Sequence, residues 1–194
     1  MDISGAELIV QLLERQGVEI VAGIPGGAVL PLYQALGASR QIRHVLARHE
    51  QGAGFIAQGM ARVSGRAAVC IATSGPGVTN LLTALADAKA DSIPLVCITG
   101  QVPRHLMGTD AFQEVKTGYL AETITKANFI ARSASDLLDL IPEAFRIAEG
   151  GRPGPVLIDV PKDVQMERIT LGDWPAPGRA YAMPTLDHAL IEQA

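Results

Sequence analysis

The feature that most constrains this chain is the repeated pairing of short, mostly apolar, strand-like runs with helical patterns. Val18 to Ala22, Ile42 to Ala47, Ala67 to Ala72, Pro94 to Thr99 and Pro155 to Val160 are the runs. Strands of this kind need cover on both faces, and strand–helix alternation supplies it. The expected fold class is α/β, a mainly parallel central sheet with helices on both faces. Composition agrees. Hydrophobic residues make up 48% of the 194 and aromatics only 4%, so the core is aliphatic and alanine-rich. That suits a helix-covered sheet better than an aromatic-rich β-sandwich.

Local signals place the helices between the runs. Ser4 can cap a helix whose apolar face includes Leu8, Ile9, Leu12 and Leu13, ending near Gly17. Helices are expected over 28–36, with Pro31 tolerated in the first turn, and over 51–63, about 78–88 and 133–149, the last capped by Ser133. Thr123 to Phe129 reads as a further strand. Gly100 to Gly118 carries few regular signals, and long loops inside compact domains are usually functional or disordered. From about Leu171 the composition turns to Gly172-Asp173-Trp174-Pro175-Ala176-Pro177-Gly178 and Pro184, a connector. Leu186 to Ala194 could begin another helix. The expected organisation is one domain over 1–170 and a linker over 171–194 toward a further domain, as in a chain cut from something longer.

Charge and composition exclude several functions. The net charge is −4 and the basic residues are scattered, which argues against nucleic-acid binding. No run approaches the length of a membrane span and no signal peptide is apparent, so a cytoplasmic location is expected. Cys70 and Cys97 lie in apolar runs and read as buried thiols. His49-Glu50 lacks the second histidine of a zinc helix, because Ala53 holds that position, and no metal site is expected within the chain.

The strongest single residue is Glu50, in Arg48-His49-Glu50-Gln51-Gly52-Ala53-Gly54. It falls at a strand-to-helix junction, where open α/β sheets bind ligands beyond the carboxyl ends of their strands. The helix dipole would also favour a carboxylate there with no catalytic role. Gly75-Pro76-Gly77-Val78-Thr79-Asn80 resembles a dinucleotide fingerprint in place, but Asn80 holds its sixth position and no acidic ribose ligand follows. Its glycines still permit close approach of a ligand to the backbone. In the long loop Phe112 could tuck into the core and Asp110 could cap a following helix. Arg152 is a possible phosphate binder, and Lys162 and Asp163 could form a surface pair.

Weak singly, these motifs are distinctive in order: Gly23-Ile24-Pro25-Gly26-Gly27, Arg48 to Ala53, Thr73 to Asn80, Asp91-Ser92-Ile93-Pro94-Leu95, Ile98 to Pro103, Gly108 to Glu114 and Gly151 to Gln165. From about Gly5 to Gln165 the chain resembles the N-terminal, pyrimidine-binding domain of the acetolactate synthase large subunit, a thiamine-diphosphate enzyme. The resemblance implies decarboxylation of pyruvate and transfer of the two-carbon unit to pyruvate or 2-oxobutyrate, in branched-chain amino-acid synthesis. It implies that Glu50 bonds the aminopyrimidine ring nitrogen and favours the imino tautomer that deprotonates the thiazolium carbon. A water-shielded carboxylate sharing its proton with a ring nitrogen suits general acid–base work at neutral pH.

By the same resemblance Pro25, Thr73, Pro76 and Asn80 line the pyrimidine pocket. Gln113, Gly27 and Ala28 face the substrate, while Pro103, Phe112 and Lys162 surround the substrate channel. Arg152 matches a contact to a structural FAD. Magnesium and the diphosphate belong to a domain not in this sequence, the active site forms between two subunits of a homodimer, and a small regulatory subunit is implied. Lys116 stands where many relatives have an acidic residue, and Ala127 where a histidine is common. Neighbouring families are also implied as alternatives. Glu50 separates the chain from tartronate-semialdehyde synthase, which carries valine there, and the Gln113 and Arg152 segments favour acetolactate synthase over pyruvate oxidase. A stand-alone binding or assembly module is the non-enzymatic alternative.

Overall fold

The computed structural model describes residues 1–180. Along the chain run β1 (Asp2–Ser4), α1 (Gly5–Arg15), β2 (Ile20–Gly23), α2 (Leu30–Ala38), β3 (Arg43–Leu46), α3 (Glu50–Ser64), β4 (Ala68–Ala72) and α4 (Pro76–Ala90). There follow β5 (Leu95–Gln101), a single 3-10 turn (Arg104–Leu106), α5 (Thr117–Ala121), β6 (Ala127–Ile130), α6 (Leu137–Glu149), β7 (Pro155–Pro161), α7 (Lys162–Met166) and β8 (Arg168–Thr170). The main sheet has the order β3-β2-β4-β5-β7-β6 with every pairing parallel, the α/β class expected from the sequence.

Period-two alternation sorts the two faces. In β4, Val69 and Ile71 join the cluster under α1, α2 and α6, with Leu8, Ile9, Leu12, Leu32, Ile141 and Phe145. Ala68, Cys70 and Ala72 face the other way, toward α3 and α4, among Ala57, Ala61, Ala84 and Ala88. The second face is built of small residues, and the helices close in. A Cβ added to Gly54 of α3 would lie 2.5 Å from the Ala84 Cβ of α4. Cys70 and Cys97 are neighbours in register on this face, both free thiols, with their sulfurs 3.2 Å apart.

Ser4 caps α1 as expected, in a capping box with Glu7. Other boundaries moved. The strand expected over Thr123 to Phe129 is β6, which begins only at Ala127. Ile124 and Thr125 instead donate their amides to the Ala121 carbonyl, prolonging the α5 turn. The helix expected from Ser133 begins at Leu137, because the Ser133 hydroxyl and Asp136 carboxylate bond each other and close a turn before it. The β1–β8 pair, antiparallel, joins the N-terminal strand to residues 168–170 and was not foreseen. Three-residue strands carry too little pattern to read. The start of the expected connector lies against the domain. Leu171 is buried and Arg15 stacks over Trp174 at 5.3 Å. Pro184 and the helix expected over Leu186 to Ala194 fall outside the described residues.

Candidate active site

In a parallel sheet every strand ends at the same edge, and here that edge collects the turns after β2, β3, β4, β5 and β7. His49, not Glu50, caps α3, its Nδ1 accepting from the Gln51 amide at 3.2 Å. Glu50 is the first residue of the helix, and its side chain is left to point across to α4. There the Asn80 amide donates to Glu50 Oε2 at 2.9 Å. The same two helices pack tightly one turn further on, at Gly54. Thr73 and Gly77 complete the wall. A Cβ on Gly77 would meet Thr73 Cγ2 at 2.8 Å and approach Glu50 Oε1 to 3.6 Å, so the glycine lets Thr73 pack against the start of α4 beside that oxygen. A carboxylate pinned through one oxygen keeps its second oxygen as an acceptor for a ligand N–H.

The turn after β2 closes the same space. A Cβ added to Gly26 would lie 2.5 Å from the Thr73 Cβ, and the Ala28 amide donates to Thr73 Oγ1 at 3.2 Å. Pro25 and Gly27 are exposed beside it, and nothing stands within 4 Å of a Cβ built on Gly27. Pro76, the first residue of α4, is exposed at the same rim.

The long loop also returns to this edge. Gln113 adopts φ +59°, in the left-handed region, and its backbone lies against Gly75, where a Cβ would meet Gln113 Cα at 2.9 Å. Glu114 ties the loop by accepting from the amides of Gly108, Thr109 and Ala111, which holds its carboxyl below the usual range. Phe112 is 88% exposed at the loop tip and does not tuck into the core. Asp110 caps no helix, since α5 begins only at Thr117 and no side chain caps it. Pro103 precedes the 3-10 turn at this edge, and Lys162 opens α7 there. Asp163 pairs with Arg104 at 2.7 Å rather than with Lys162, and accepts from the Arg104 amide as well.

Arg152 is the predicted residue that the fold takes elsewhere. It precedes β7 and lies at the amino edge of the sheet, opposite Glu50. Its guanidinium donates to Ser92 Oγ at 2.7 Å and to the Ala90 carbonyl at 3.1 Å, closing the end of α4.

Buried groups unmarked by sequence motif support the site from below. Asp159 of β7 accepts from Thr99 Oγ1 at 2.8 Å and Gln101 Nε2 at 2.9 Å, and Gln101 also donates to the Val115 carbonyl of the long loop. Burial pushes the Asp159 carboxyl up to about 7, against the pull of its donors. The Tyr33 hydroxyl is buried under Gly23 without a hydrogen-bond partner. Burial raises its pKa, and the nearby Cys70 and Glu50 raise it further. Alternation in the Pro155–Val160 run does mark residue 159 as facing one side. Only the assembled sheet shows which side, and which donors lie there.

Among the described residues no group of three or more His, Cys, Asp or Glu side chains gathers to hold a metal ion. No helix among them is long and apolar enough to cross a membrane.

Comparison with known proteins agrees with this geometry. Residues 3–120 match the family described as thiamine pyrophosphate enzyme, N-terminal TPP binding domain. The chain is 58% identical over 191 residues to the acetolactate synthase isozyme 1 large subunit of Escherichia coli strain K12, covering 98% of this chain and 34% of that protein. It is 56% identical over 173 residues to the acetolactate synthase large subunit IlvB1 of Mycobacterium tuberculosis, covering 89% and 28%. With the chloroplastic acetolactate synthase of Arabidopsis thaliana it shares 53% over 184 residues, covering 93% and 27%. The chain thus spans about a third or less of the length of these curated relatives. With Glu50, Thr73 and Asn80 gathered at one sheet edge inside the matched region, this chain belongs to the thiamine pyrophosphate enzymes, as their N-terminal TPP binding domain.

Proposed function

We propose that this chain is the pyrimidine-binding part of an acetolactate synthase large subunit. The whole enzyme would decarboxylate pyruvate and join the two-carbon unit to pyruvate or 2-oxobutyrate, at the head of branched-chain amino-acid synthesis. The observation that carries the reading is the Glu50–Asn80 pair beside Thr73 and Gly77, within a chain more than half identical to acetolactate synthases. The domain would span 1–170, with 171–194 leading to the next. The alternatives, another thiamine-diphosphate carboligase or oxidase or a stand-alone binding module, have no comparable support.

Thiamine diphosphate would supply an acidic thiazolium C–H and an electron sink for the pair released on decarboxylation. This chain's residues would hold and move protons. Asn80 fixes Oε2 of Glu50, which leaves Oε1, on the Gly77 side, to share a proton with the ring nitrogen. Thr73 and Pro76 would bound the ring, and Pro25 would close it from the turn after β2. Gly27, Ala28 and Gln113 would meet the substrate, with Pro103, Phe112 and Lys162 farther out along the channel. An exposed Phe112 suits that place, since an apolar side chain at a loop tip needs a partner to shed water.

The diphosphate and its magnesium would be held by another domain, across a homodimer interface, so the isolated chain should lack carboligase activity. A flavin contact at Arg152 would touch the far edge of the sheet, remote from Glu50, and would compete with the Ala90 and Ser92 bonds. A small regulatory subunit and a cytoplasmic setting complete the reading. Exchange of the thiazolium C2 proton in the intact enzyme tests it. Glu50→Gln should slow that exchange by roughly a hundredfold or more, and an unchanged rate would remove Glu50 from the chemistry.

A further inference from the structure

We propose that Gln165 is a positioning residue, which fixes the Ala28 peptide on the substrate side of the site. The inference rests on the functional reading above, because that reading places Gly27 and Ala28 against the substrate. Gln165 lies in α7 and is completely buried. Its amide nitrogen donates twice, to the Val160 carbonyl at 3.0 Å and to the Ala28 carbonyl at 2.8 Å, 137 residues away in sequence. One proton anchors the side chain to the end of β7, and the other reaches the turn after β2.

Ala28 belongs to no strand or helix, so its backbone groups depend on side chains. Its N–H is held by Thr73 Oγ1 and its carbonyl by Gln165. The third constraint is steric. Gly100 of β5 lies so close that a Cβ would stand 2.7 Å from the Ala28 oxygen. The residue is therefore gripped at both of its backbone polar groups, one in each flanking peptide, and backed by a glycine, while its neighbour Gly27 faces open space. A rigid backbone beside an open position is what an oriented small substrate requires.

A packing role would not ask for glutamine. Burying an amide costs free energy unless its groups are bonded, and an apolar side chain of similar size fills such a volume without that cost. Here Gln165 Oε1 is buried without a partner, so the burial cost is not offset at the oxygen. The two donations are what this residue adds over methionine or leucine.

The test uses the intact enzyme with thiamine diphosphate and compares Gln165→Met with Gly100→Ala. The first removes the donors at nearly constant volume. The second leaves Gln165 in place and displaces the Ala28 carbonyl sterically. Both should raise the pyruvate KM roughly tenfold and speed amide exchange across residues 24–31 by a similar factor. Exchange in 68–72 and at the cofactor C2 carbon should stay within about twofold, because Glu50 and β4 are untouched. Unchanged exchange over 24–31 in Gln165→Met would overturn the proposal. So would a lower Tm with an unchanged KM, the mark of a purely structural role. If the unsubstituted enzyme shows no cofactor C2 exchange, the functional reading fails instead, while the amide-exchange arm still judges the grip on Ala28.

Discussion

The two edges of the sheet are built on opposite plans. At the amino edge, basic side chains close over helix ends and loop carbonyls. Arg66 donates to the Gln16 carbonyl after α1, Arg152 to Ala90 at the end of α4, Lys89 to Thr123 and Thr125, and Lys126 to Ile147 and Gly150 at the end of α6. Cations at helix C-termini satisfy orphan carbonyls and complement the dipole. At the carboxyl edge, apart from Arg104 and its partners Asp163 and Glu167, the main features are acceptors and gaps: Glu50, the glycines of two turns, and an exposed phenylalanine. One edge is sealed for stability. The other is held open, and its side chains are braced from beneath so that it can stay open without collapsing.

Substitutions at the two edges should therefore separate. The largest effect is expected from Glu50→Gln, whose loss of C2-proton exchange should leave Tm nearly unchanged, since Glu50 bonds only an amide at the rim. Heat unfolding of the same variant checks the second half.

Gly54→Ala should follow, because it touches both fold and site. Its new methyl must push α3 from α4 at the Ala84 contact, costing about 1–3 kcal/mol in stability. The Glu50–Asn80 pair spans those helices, so cofactor affinity should fall as well, measurable by titration with thiamine diphosphate. Full affinity in this variant would show that the helix spacing does not set the pair.

Asp159 gives a pH signature on the carboxyl side. Its carboxyl titrates near 7 when folded and near the ordinary aspartate value of 3.8 when unfolded. The folded state therefore binds the extra proton between those values, and the stability linked to this group is present below about pH 4 and lost as pH rises through 7. Asp159→Asn, which cannot titrate, should flatten the fall in Tm between pH 5 and 8. An unchanged slope would mean that the carboxyl is not held protonated.

The smallest effect is expected at the amino edge. Arg152→Ala should cost less than about 1 kcal/mol, as an exposed helix-end contact does, and leave C2-proton exchange unaltered. A large loss of exchange would break the division between edges.

Much of this was legible in the sequence. The apolar runs predicted the sheet, because a strand covered on both faces has no need of polar alternation. Ser4 marked the first helix, since capping is local chemistry, and the structure added Glu7 as its capping-box partner. Glu50 was marked by its place at a strand-to-helix junction and by motif order. Strand-length signals failed where they were short, at β1, β8 and the start of β6. The capping signal failed at Ser133, whose hydroxyl closes a turn as readily as it caps a helix.

What the sequence by itself determined is the longer strands and helices and the residue types at their ends, because periodicity, capping and glycine turns act over a few residues. Tertiary structure alone decided that Asn80 faces Glu50, that Gln165 reaches Ala28 and that Arg152 lies on the far edge. Those pairings span 30 to 137 residues. Parallel strand order, not local pattern, brings such positions together, since it alone fixes which turns share an edge.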